Sequence, residues 1–149
     1  SGNGGNAMIY KATNLITKKM DEVGIRYTVH ENEDSSRIYA RFSINNGPGL
    51  TVQFISRDDD NDVSIRLFRL IGDVSEEKKG KICSVVNECN RKYRFLKFTF
   101  DEENDVNIEY DLTAASSDDS IGLQACELFM RIMDIANEVY PLFMQAMWS

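Results

Sequence analysis

Residues 38–67 read IYARFSINNGPGLTVQFISRDDDNDVSIRL, and their rhythm decides the fold. Ile38, Ala40, Phe42 and Ile44 alternate with polar residues and stop at Asn45-Asn46-Gly47-Pro48-Gly49. Leu50, Val52 and Phe54 take up the alternation again until Asp58-Asp59-Asp60-Asn61-Asp62. Val63, Ile65 and Leu67 then carry it towards Gly72. A period of two puts every second side chain on one face, and short polar turns join neighbours that run in opposite directions. The stretch therefore predicts three strands of an antiparallel meander with one buried face.

Upstream, Ile25, Tyr27 and Val29 alternate in the same way before the turn at residues 32–36, adding a strand. Before them Ile9, Ala12, Ile16, Met20 and Val23 recur at steps of three and four, which predicts a helix over 8–23. Gly24 follows, where a left-handed cap costs least. Downstream, Ser75 ahead of Glu76 and Glu77 reads as a helix N-cap with acids in the first turn. Ile82, Val85, Val86, Cys89 and Tyr93 form that helix's stripe. Phe98 and Phe100, the acidic turn at 102–105, and Val106, Ile108 and Tyr110 make a second hairpin. From the capping cluster at 116–120, Ala125, Leu128, Ile132, Ile135, Val139, Leu142 and Ala146 mark a last helix of up to about 30 residues, with a kink expected at Pro141. The class is α+β: an antiparallel sheet packed by helices, in the order helix, four strands, helix, two strands, helix.

At 149 residues, with 42% hydrophobic and 28% charged residues, the chain suits one domain over 8–149. Residues 1–7, rich in Gly and Asn, read as an appended or disordered lead with Met8 a plausible start. The net charge of −7 argues against a nucleic-acid partner, although Lys78, Lys79, Lys81, Arg91, Lys92 and Arg94 cluster around the middle helix. No apolar run reaches the roughly 20 residues of a membrane span. The three cysteines, Cys83, Cys89 and Cys126, contain no CxxC pair, so they are expected to be reduced thiols packed as small hydrophobes in a cytoplasmic protein.

Catalytic signatures are missing. The one histidine, His30, has the parity opposite to Tyr27 and Val29 and should face solvent or a sheet edge. No nucleophile elbow, zincin or phosphate-loop motif occurs. Asp58, Asp60 and Asp62 are spaced like calcium ligands, but Val63 stands where the loop needs Gly and Arg69 where it needs Glu. Asp101, Glu103 and Asp105 fail likewise, with Val106 and Leu112 in those places. Both are read as solvated hairpin tips. No cofactor, metal or catalytic residue is assigned. The aromatic residues from Tyr93 to Phe100, interleaved with Arg91, Lys92, Arg94 and Lys97, are read as core.

The segment Val85-Val86-Asn87-Glu88-Cys89-Asn90, then Phe95-Leu96-Lys97-Phe98, an acidic turn and Val106-Asn107-Ile108-Glu109-Tyr110-Asp111-Leu112, resembles the bacterial YbjN-like family of sensory-transduction regulators. The opening helix through Gly24 and the end with Ala136, Tyr140-Pro141 and Met144 extend the likeness over nearly the whole chain from about residue 8. The resemblance implies a fold like that of type III secretion chaperones, a regulatory or protein-binding role and no catalytic residues. This chain departs from it by four strands, rather than three, before the middle helix. Asn87 and Asn90 are read as side chains tying the helix end to the next strand.

Function is accordingly expected to be non-enzymatic recognition of a protein partner, with a homodimer as one form and no nucleic acid or membrane. The alternative is a small-molecule-binding or enzymatic domain with a pocket between sheet and helices. The wide apolar face of the last helix suggests that Phe129, Met133, Phe143 and Met147 spread outward as the docking patch.

Overall fold

In the computed structural model, residues 10–57, 62–113 and 119–149 are described. The lead at 1–7, the aspartates at 58–60 and most of the 116–120 cluster lie outside them. The elements are α1 (Lys11–Val23), β1 (Thr28–Glu31), β2 (Ser35–Ser43), β3 (Gly49–Arg57), β4 (Val63–Ile71), α2 (Lys79–Lys92), β5 (Lys97–Phe100), β6 (Val106–Leu112) and α3 (Ile121–Trp148). Their order is the one the alternation predicts. All six strands pair antiparallel in the spatial order β1-β2-β3-β4-β6-β5. The second hairpin enters with its later strand, so β6 joins β4 and β5 becomes an edge. Both edge strands, β1 and β5, are only four residues long, which limits the unpaired backbone open to stray pairing.

Gly24 caps α1 at φ 80°, and its N–H and that of Ile25 both donate to the Met20 carbonyl. That is the left-handed stop anticipated for a helix running into a strand. Ser75 behaves differently. Its side chain makes no capping bond, and its carbonyl instead accepts from Lys78 N–H in a 3-10 turn, Glu76–Lys78, that precedes α2. Asn90 does tie α2 to β5. Its amide donates to the Phe98 carbonyl at 2.9 Å and its oxygen accepts the Phe98 N–H at 2.7 Å. Asn87 stays on the exposed side.

The three helices lie on one face of the sheet. Ile38, Ala40, Val52, Phe54, Ile65, Leu67, Ile108 and Phe98 project into a single core with Ile16 and Met20 of α1, Ile82 of α2 and the inner line of α3. A chain of hydroxyls crosses this layer near one edge: buried Thr13 donates to Ser36 at 2.8 Å, and Thr17 donates to the Thr13 carbonyl. α3 continues unbroken through Pro141. Asn137, whose carbonyl that proline leaves without a donor, uses its side chain to accept Asn45 N–H at 2.8 Å and to donate to the Met133 carbonyl. The β2–β3 turn is thereby fastened to the last helix.

The acidic β5–β6 turn is not simply a solvated tip. Asp105 and Asn107 are buried. Asp101 accepts N–H bonds from Glu103 and Asp105 on one oxygen and the Asn107 amide on the other. Asn107 and Asp105 in turn accept the backbone N–H groups of Arg69 and Asp73, which sit at φ 59° and 52° beside the β4 bulge. The Asn107 amide, then the Asp105 N–H, hold the Asp101 carboxyl below its ordinary value. A depressed folded-state pKa stabilises the fold above the unfolded value of 3.8, and that contribution is lost as pH falls through the lower folded value. Asn107→Ala should cost about 1–3 kcal/mol in urea unfolding at neutral pH. It should also flatten the decline of the urea midpoint on acidification below pH 4. An unchanged acid limb would show that Asp101 does not act through Asn107.

Candidate functional site

Two of the four residues anticipated as a docking patch on α3, Phe129 and Phe143, are not on the surface. Phe129 is 4% exposed and Phe143 is fully enclosed. Phe129 meets Phe42 edge-on at 6.1 Å, and Phe143 stacks on Phe98 at 6.4 Å. Met133 and Met147 are half-buried against the same core. The reason is geometric. A heptad spacing drifts by about 20° per repeat on a straight helix. The line Ala125, Phe129, Ile132, Ala136, Val139, Phe143 therefore faces inward, and Leu142 rotates out to 43% exposure. The flank is covered by α1, which packs along α3 closely enough that only glycine fits at Gly122.

The titratable groups of this layer offer little for chemistry. Burial raises the Cys126 thiol and pushes that of Cys89 up to about 11, so neither is an available thiolate near neutral pH. Cys83 is exposed, contrary to the expectation that all three thiols pack inside. His30 is exposed on its strand as its parity predicts. No group of three or more metal-ligating side chains occurs among the described residues.

What the fold leaves open is the other face of the sheet. Strand register places on it Thr28 and His30 of β1, Arg37, Tyr39 and Arg41 of β2, Thr51, Gln53, Ile55 and Arg57 of β3, and Ser64, Arg66 and Phe68 of β4. Glu109 and Asp111 of β6 continue the face, and both are engaged by Arg66, at 3.5 Å and 2.8 Å. Lys97 of β5, opposite Glu109 in the register, also approaches that carboxylate, at 3.9 Å. Among the described residues Arg26, Arg37, Arg41 and Arg57 form no ion pair. Arg37 donates to Gln53 at 2.9 Å and Arg57 to Ser64 at 2.8 Å, neutral acceptors both. The guanidinium of Arg41 lies over Gly49, where a Cβ would stand 2.8 Å from it. Beside it a depression of about 400 Å³ is lined by Arg26, Tyr27, Thr28, Tyr39, Arg41 and Thr51. On a chain of net charge −7, the strand residues of β1 to β3 on this face include no carboxylate.

The family profile described as putative bacterial sensory transduction regulator, YbjN, matches residues 13–140. The chain belongs to the YbjN family. The match runs from the first helix to Tyr140 and takes in all six strands, so the open face lies within the YbjN unit. A comparison with curated proteins gives no match. No helix among the described residues is long and apolar enough to cross a membrane.

This YbjN chain also holds one aromatic in a costly conformation. Phe95 sits at φ 73° and is 60% exposed, with the Arg94 and Arg131 guanidiniums 5.1 and 5.9 Å from its ring. A bulky residue in the left-handed region costs about 1–2 kcal/mol, which the two exposed cation–π contacts offset. Phe95→Asn should thus leave the thermal unfolding free energy within about 1 kcal/mol of the parent, because asparagine tolerates that backbone. A larger loss would show that the ring packs more firmly than its exposure indicates. The reading of residues 93–100 as core holds for Phe98 but not for Phe95.

The apolar parity of each strand defines its core face and says nothing of the charge on the other face. The signal lies in the opposite parity: Arg41, Arg57 and Arg66 occupy polar positions within residues 38–67, and Arg37 immediately precedes them.

Proposed function

We propose that this YbjN-family chain is a non-catalytic regulatory module that binds a protein partner across the open face of its sheet. The observation that carries the reading is that Arg37, Arg41 and Arg57, which form no ion pair among the described residues, share the sheet face opposite the helices, where β1 to β3 place no carboxylate. The raised thiols of Cys89 and Cys126, and the N–H donors that occupy the Asp101 oxygens, support the non-catalytic reading. The family description as a sensory transduction regulator points the same way. Docking on α3 through Phe129 and Phe143 would require opening the core, so the sheet replaces that helix as the proposed surface. A steric block tests this without altering charge. Thr51→Trp and Gln53→Trp enlarge half-buried positions on the face. Both variants should keep the parent's circular dichroism and lose the partner that co-purifies with the wild-type chain from its own cells. Retention of that partner by both folded variants would move the site elsewhere.

A further inference from the structure

Resting on that reading, we infer that the occupant of the open face is a short extended acidic segment of a protein, with carboxylates four positions apart around an apolar residue. Arg37 and Arg41 are four residues apart on β2, on the same face of the strand. That spacing is roughly 13–14 Å, which an extended chain reproduces with its own side chains at the same interval. Tyr39 stands between the two arginines, and the depression shared with Thr28 and Thr51 opens beside it, where the middle side chain of such a segment would rest. Arg37 has only a neutral acceptor and Arg41 no ion pair, so a carboxylate arriving at either displaces no existing salt bridge. Guanidinium groups bind carboxylates through paired N–H donors, which gives orientation as well as attraction.

Charge complementarity also limits the length of the occupant. The cationic area ends towards β6 at Glu109 and Asp111, and the β1–β2 turn at its other end carries Glu33 and Asp34. A segment with two carboxylates fits between these rims. A nucleic acid, with a charge every few ångströms, would run onto them.

The probe is a fluorescent heptapeptide with glutamate at its second and sixth positions, leucine at the fourth and threonine elsewhere, followed by anisotropy at low salt. The wild-type chain should bind it saturably and lose affinity as salt rises. A glutamine version, and one with the glutamates adjacent, should each bind at least tenfold more weakly. Arg41→Glu, at an exposed position, should fold normally by circular dichroism and bind the probe at least tenfold more weakly. Arg37→Glu with Arg41→Glu should instead take the lysine version of the peptide. Equal binding of the glutamine peptide, undiminished binding by folded Arg41→Glu, binding of a single-stranded oligonucleotide alone, or no peptide binding at all would each overturn the inference. If the peptide fails while Thr51→Trp still abolishes partner co-purification, the open face remains the site and only the acidic chemistry falls. If the peptide binds as expected while both tryptophan variants keep the partner, the acidic site stands apart from the partner surface.

Discussion

Phe143→Ala should lower the unfolding free energy by about 3–5 kcal/mol, while Leu142→Ala, one residue away, should cost less than about 1 kcal/mol. Phe143 is fully enclosed, stacked on Phe98 at the β5 edge, and its removal leaves a cavity between α3 and the sheet that neither backbone can close cheaply. Leu142 is 43% exposed and has little burial to lose. Heptad spacing counted from Ala125 predicts the reverse ranking, so the pair separates a drifting helical stripe from a coiled-coil-like seam. Urea denaturation of the two variants decides it. Comparable losses at both positions would mean that α3 turns differently past Pro141.

Gly122→Ala should destabilise by about 1–3 kcal/mol, although alanine ordinarily favours a helix over glycine. The added Cβ would stand 2.5 Å from the Leu15 carbonyl oxygen and 3.0 Å from the Lys19 Cβ, so α1 and α3 would have to separate. Gly80 in α2 provides the control, since nothing lies within 4 Å of a Cβ there. Gly80→Ala should therefore gain about 1 kcal/mol from helix propensity alone. Thermal unfolding should show the two substitutions with opposite signs. A stabilised Gly122→Ala would mean that the helices do not approach each other this closely.

The order of elements could be read directly because each strand of the meander has a clean apolar alternation and each turn has its own breakers. Gly24 and Asn90 also acted locally, one through its backbone freedom and the other through an eight-residue reach to Phe98. Long-range placement was harder. Nothing in the local pattern shows that β6 pairs with β4 while β5 takes the edge, or that α1 covers the flank of α3 at Gly122. Phe143 turns inward and Leu142 outward because a drift of about 20° per heptad accumulates over a 28-residue helix. The acidic turn was misread because the buried acceptors Asp105 and Asn107 serve N–H groups of Arg69 and Asp73, more than thirty residues earlier in the chain. The arginine face needed only the polar parity of strands already recognised, together with the knowledge that every helix goes to the other side.

Site-specific photo-crosslinking in the chain's own cells tests the central claim most directly. A photoreactive residue would be placed at Thr51 or Gln53 on the open face, and at Leu142 or Leu123 on the exposed side of α3. The account predicts a discrete crosslinked partner from the two sheet positions and none from the two helix positions. Crosslinks confined to Leu142 and Leu123 would contradict it and return the binding surface to the helical layer.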